Sequence, residues 1–180
     1  MKRIERQKPL SSEELRALAL AYVGRYATST GKLTAYLARK VRERGWAGGN
    51  AAVAEIDAVV ARMAELRYVD DQSYADMKAA SLTRRGYGPR RVRQALTAAG
   101  IGADMADTAL TPVAEAAETL ALDFARRKRL GPFSQQPQDP KHKARAFAMM
   151  LRAGHEYAAV RRILDLEADF VHNSLDRSDV

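Results

Sequence analysis

The fold turns on the stretch Arg84-Arg-Gly-Tyr-Gly-Pro-Arg-Arg-Val-Arg-Gln-Ala-Leu-Thr-Ala-Ala-Gly100-Ile101. Gly86 and Gly88 bracket Tyr87 and interrupt any helix running into them. Pro89 has no N–H to donate, so it belongs in the first turn of a new helix. Val92, Leu96 and Ala99 then make one apolar stripe, and Gly100 suits a left-handed C-terminal cap. The stretch predicts a short helix with sharp ends. Its polar face carries Arg90, Arg91 and Arg93 in the first turn, with Arg84 and Arg85 just before it. No acidic residue occurs between Asp76 and Asp104. A helix start prefers anions, so five arginines there are locally unfavourable. A solvated basic face is the ordinary reading of a charge run. Gathering at a helix start favours a waiting anion, either phosphate or a carboxylate-rich protein surface.

Outward from this stretch the chain reads as helices throughout. Ser11 and Glu14 form a capping-box pattern, followed by Leu15, Leu18, Tyr22 and Tyr26. Leu33, Leu37 and Val41 mark a second helix ended by Gly45, and Val53, Ile56, Val60 and Met63 a third. Asp70 or Asp71 is a natural N-cap for a helix carrying Tyr74, Met77 and Leu82. After the organising helix, Ile101, Met105 and Leu110 mark a short one. Thr111-Pro112 is expected to cap and start the next, with Val113, Leu120 and Phe124 inward. Residues 131–140 read as a linker-like Pro/Gln loop. Asp139-Pro140 starts a helix with Phe147 and Leu151 inward, ended by Gly154. Tyr157, Val160 and Leu164 belong to a last helix. No strand alternation is found.

Three glycines set a repeat. Gly45, Gly100 and Gly154 each end the middle helix of a trio. Leu37, Val92 and Ala146 all precede their glycine by two turns, and Val41, Leu96 and Met150 by one. The expected fold is all-α, three tandem three-helix repeats in an elongated, curved right-handed or irregular solenoid. The expected boundaries are a basic flexible tail over 1–10, repeats over 11–67, 68–111 and 112–171, and a polar tail over 172–180. Charge follows the same period. Residues 78–93 carry only basic charges and residues 104–123 only acidic ones.

The 180 residues carry 30 Lys+Arg against 22 Asp+Glu, a net charge of +8 that favours anionic partners. The absence of cysteine excludes disulfides and thiolate metal sites. No apolar run approaches a membrane span, and the basic N-terminus leads into no signal region. His142, His155 and His172 lack metal-ligand spacing and read as surface or cap residues. Gly86-Tyr-Gly88 lacks the strand and the Gly-Lys ending of a phosphate loop. No catalytic residue, cofactor or metal is expected.

Tyr68-Val-Asp-Asp71 with Tyr74-Ala75, then Arg85-Gly-Tyr-Gly-Pro-Arg-Arg-Val-Arg-Gln94 and Ala99-Gly-Ile101, resemble the RecX family of RecA regulators. The resemblance covers nearly the whole chain. It departs at Tyr26-Ala-Thr-Ser-Thr-Gly-Lys-Leu33 and at the 131–140 loop. It implies a cytoplasmic, monomeric protein that binds RecA and its filament on single-stranded DNA. Such a protein inhibits ATPase, recombinase and co-protease activities in DNA repair and the SOS response, without catalysis. It also implies weak, non-specific binding to single- or double-stranded DNA and none to membrane. The residues expected to meet partner or nucleic acid are Arg84, Arg85, Tyr87, Arg90, Arg91, Arg93, Arg39, Lys40, Lys141, Lys143 and Arg145.

A second reading is a non-specific DNA-binding helical module. The turn at Gly86–Gly88 resembles a helix-turn-helix, with residues 89–99 as its second helix. That helix offers mostly small side chains after Arg93, so it could read few bases. A membrane-surface array is disfavoured, because the basic stripes lack a bulky apolar flank.

Overall fold

A computed structural model describes residues 8–135 and 139–166. These residues form nine α-helices, two short 3-10 turns and no strand beyond one isolated bridge. The helices are α1 (Ser12–Val23), α2 (Thr30–Arg44), α3 (Ala52–Glu65), α4 (Asp71–Arg84), α5 (Pro89–Ala98), α6 (Ala103–Glu115), α7 (Ala117–Lys128), α8 (Pro140–Arg152) and α9 (Tyr157–Asp165). The chain divides into two compact units. One comprises Met1–Ala75 with Thr97–Met105, the other Asp76–Leu96 with Ala106–Val180. The division cuts through α4, α5 and α6.

In the first unit, α1 begins with a complete capping box. The Glu14 N–H donates to the Ser11 hydroxyl at 3.2 Å, and the Ser11 N–H donates to Glu14 at 3.0 Å. Leu15, Ala19, Leu33, Leu37, Ile56, Val59, Val60 and Met63 form the core. Leu10 joins them at 0 % exposure. Its N–H donates to the Gly45 carbonyl, and its carbonyl accepts from Ala47. The basic tail expected to run to residue 10 therefore does not include Leu10. Burying one leucine is worth about 1.5–3 kcal/mol, enough to anchor the segment. Tyr26 lies beyond α1 and is exposed, and Val53 faces outward on α3, where Val59 takes the inward place.

The two aspartates before α4 divide their work. Asp70 caps the helix by accepting from the Ser73 N–H at 2.9 Å. Asp71 instead accepts from the N–H and hydroxyl of Thr30, at 2.8 and 2.6 Å. It thus serves the start of α2. That start also approaches the end of α5 closely. A Cβ on Gly31 would lie 2.8 Å from the Ala99 carbonyl oxygen, and the Ser29 hydroxyl donates to that oxygen at 2.5 Å.

In the second unit, Ala121, Phe124, Ala125, Ala146, Met150, Val160, Ile163 and Leu164 make the core. Asp139 caps α8 as expected, accepting from the His142 N–H at 2.8 Å. Phe147 and Leu151 are half-buried; Ala146 and Met150 hold the interior. Two expectations are corrected. Pro112 starts no helix but lies inside α6, and the break falls at Ala116. Ala106, Ala109, Leu110 and Val113 are all buried on one face, and that packing outweighs the hydrogen bond proline cannot donate. The loop from 131 also begins as packed structure. Gly131–Phe133 is a 3-10 turn with Gly131 buried, and Leu130 and Phe133 rest on the core. Residues 136–138 of that loop, residues 1–7 and the tail with His172 lie outside the described residues.

The three repeat glycines all take positive φ: Gly45 at 87°, Gly100 at 73° and Gly154 at 91°. Leu37, Val92 and Ala146 are buried, as are Leu96 and Met150, while Val41 is half-buried. The register seen in the sequence is the register of the cores.

Candidate partner interface

The turn between α4 and α5 is tightly made. The Gly86 N–H donates to Thr83 at 2.8 Å and the Tyr87 N–H to Leu82 at 3.1 Å, closing α4. Gly86 has φ of 86°. The next donors turn to α8: the Gly88 N–H reaches the Ala153 carbonyl at 2.9 Å, and the Arg90 N–H reaches the Gly154 carbonyl at 3.1 Å. The positive end of α5 thus meets the carbonyl end of α8. The helix start expected to wait for an anion has spent two of its backbone donors on protein. The positive charge still displayed here is that of the side chains.

Those side chains are well placed. Arg84, Arg85, Arg90, Arg91 and Arg93 are all exposed. Tyr87 is half-buried against the core of its unit. The guanidiniums of Arg85 and Arg91 lie 5.4 and 5.9 Å from the centre of its ring. Each such contact is worth about 0.5–1 kcal/mol at an exposed site, and it orients the cation without neutralising it. Arg93 is already engaged, 2.6 Å from Asp107. Arg84, Arg85, Arg90 and Arg91 form no ion pair with a described residue.

Folding adds two cations that the sequence reading left out of the site. The Arg127 guanidinium lies over Gly86, where a Cβ would come within 3.2 Å of its central carbon. Arg126 and Arg127 share a shallow depression with Arg84, Thr83, Leu120 and Asp123. The basic run 126–129 signalled charge, but its meeting with the end of α4 depends on how α7 packs.

Beneath this turn lies His155, expected at the surface or as a cap. Its backbone N–H caps α8 by donating to the Met150 carbonyl at 3.2 Å, and only the surface placement is corrected. It is 1 % exposed. Neither ring nitrogen makes a hydrogen bond of normal geometry, and the ring packs 5.0 Å from that of Phe124. Burial pushes its pKa below the usual 6.5. The Gly86 backbone opposes this, and the positive Arg127 adds to it.

Lys141, Lys143 and Arg145 are exposed on the first half of α8. Arg145 borders a second depression with Lys128, Arg129, Ser134 and His142. Arg39 and Lys40 belong to the first unit, on α2. Both approach Glu43, at 3.8 and 2.8 Å, and the Lys40 hydrogen bond holds the Glu43 carboxyl below its usual range. Among the described residues no three of His, Asp and Glu gather as metal ligands, and no helix is long and apolar enough to cross a membrane.

Fold and surface together define an all-helical repeat protein that displays cations beside its helix ends. A family model described as RecX, second three-helix domain, matches residues 70–110, from the start of α4 into α6. The regulatory protein RecX of Myxococcus xanthus is 32 % identical over 167 residues, covering 89 % of each chain. One from Thermus thermophilus is 34 % identical over 113 residues, 63 % of this chain and 70 % of the relative. The chain belongs to the RecX family of regulatory proteins. A crystal structure of RecX from Lactobacillus salivarius shares the fold, with a TM-score of 0.61 at 19 % identity over 88 % of this chain and 97 % of the other. A second crystal structure, of a regulatory protein RecX, gives 0.62 at 21 % identity, over 86 % and 73 %.

Proposed function

We propose that this protein binds the RecA recombinase and its filament on single-stranded DNA. It restrains the filament's ATPase, strand exchange and co-protease role by occupancy, as a cytoplasmic monomer without catalysis of its own. Residues 11–67, 68–111 and 112–171 act as three repeats in that contact. Membership of the RecX family is the observation that carries this reading. The group around Tyr87 supports it locally: four exposed guanidiniums on a braced turn, unpaired with any described carboxylate. Arg84, Arg85, Arg90 and Arg91 meet carboxylates or phosphates of the filament, Tyr87 orients them, and Arg93 exchanges Asp107 for the partner. Arg39, Lys40, Lys141, Lys143 and Arg145 add contacts from α2 and α8.

The test is filament binding by a double variant, Arg90→Ala with Arg91→Ala. Both side chains are exposed, so circular dichroism and the unfolding midpoint should match the parent, while affinity for RecA filaments should fall at least tenfold. Unfolding of the variant would make these arginines structural. A folded variant that binds normally would remove them from the interface.

One observation favours the reading as a non-specific DNA-binding module: the depression bordered by Lys128, Arg129, His142 and Arg145 has the chemistry of a phosphate site. On that reading duplex affinity falls steeply with salt and is indifferent to sequence.

A further inference from the structure

The first unit carries an aromatic surface that the arginine motif leaves unexplained. After α1 ends, the Gly24 N–H donates to Leu20 and the Tyr26 N–H to Tyr22, each at 3.0 Å. This extra turn brings Tyr26 over Tyr22, with ring centres 5.2 Å apart. From α2, Tyr36 stacks on the same ring at 4.1 Å and 17°. Tyr22 and Tyr36 lean on the core, whereas Tyr26 is 53 % exposed. Arg25, Arg39 and Lys40 complete the rim of an open depression with these rings. Arg39 and Lys40 lie 5.7 and 6.0 Å from the centre of the Tyr36 ring.

We infer that this surface is a stacking site for unpaired nucleotides, with a base on Tyr26 and the flanking phosphates on Arg25, Arg39 and Lys40. The combination matches the chemistry of single-strand recognition: ring faces accept any base, and neighbouring cations follow the backbone. A purely packing tyrosine would bury its ring, and Tyr26 does not. An acidic protein segment fits less well. Its carboxylates would use the three cations, which phosphates use equally well, but would leave the open ring face of Tyr26 without a partner. Duplex DNA hides its base faces, so the site selects single strands. The inference rests on the proposed function, since a filament regulator works beside single-stranded DNA.

The test uses the full chain and three fluorescent probes of equal length: oligothymidylate, an abasic strand with the same phosphates, and a duplex. Anisotropy should show the parent binding oligothymidylate more tightly than the abasic strand. Tyr26→Ala should lose roughly 5- to 150-fold on oligothymidylate, leave the other two unchanged, and recover with Tyr26→Phe. Three results would overturn the site: equal affinity of the parent for oligothymidylate and the abasic strand, no loss in Tyr26→Ala, or the same loss on all three probes. The assay contains no recombinase. A negative result here leaves the RecA reading intact, and a failure of RecA binding leaves this result standing.

Discussion

Gly154 shows how much of this protein depends on one missing methyl group. Its φ of 91° lies where side chains are strained, and a Cβ would come within 2.9 Å of the Arg91 Cα. Gly88 faces it, with its own added Cβ 2.5 Å from the Gly154 carbonyl oxygen. The sequence marked Gly154 as a helix end, which its type and position reveal. It could not show that the start of α5 presses against it, because that contact joins residues far apart in the chain. Gly154→Ala should therefore cost more than about 1–2 kcal/mol, since the strain of a left-handed residue and the overlap with α5 add. Gly102→Ala is the control, having no positive φ and open space around its added methyl. Urea unfolding of the two variants should separate them clearly, and equal midpoints would refute the packing described for the junction.

His155 gives the same junction a pH dependence. Its folded pKa lies below its unfolded value of 6.5. Below that value the unfolded chain takes up a proton that the folded chain refuses, so stability is full above pH ~6.5 and declines as pH falls. Comparing unfolding midpoints between pH ~7.5 and ~5.5 should show this decline in the parent and a shallower one in His155→Phe. Identical slopes would mean that His155 titrates freely. Its burial was not legible beforehand, because a histidine that caps a helix can do so from the surface, and the Phe124 ring packed against it comes from a helix far away in the chain.

At the scale of elements, the helices among the described residues were legible because each carries a stripe of the right period, a cap or a terminal glycine. The failure at Pro112 is instructive. Thr111-Pro112 has the local form of a helix start, but Ala106, Ala109, Leu110 and Val113 continue one buried face through it. Tertiary burial decided the outcome over local preference. The short α5 illustrates the converse. Ten residues cannot hold a helix alone in water, so it depends on Val92 and Leu96, both fully buried. Leu96→Asp should abolish cooperative unfolding of the segment by placing an unpaired charge in an apolar site. Hydrogen exchange would report it as lost protection in α5, and retained protection would contradict the burial.

At the scale of the molecule, the excess of 30 basic over 22 acidic groups matters through its distribution. The arginine motif was legible as a linear run. Arg126 and Arg127 joined it only through folding, and the Tyr22–Tyr36 stack was invisible because its rings come from two helices. On the proposed function, this chain regulates a RecA filament by occupying it. The decisive measurement is single-strand-dependent ATP hydrolysis by RecA from the same source, with this protein added below stoichiometry. Hydrolysis should be inhibited at substoichiometric ratios, and the Arg90→Ala, Arg91→Ala variant should largely lose that inhibition. Unchanged hydrolysis up to equimolar protein, with DNA binding intact, would contradict it.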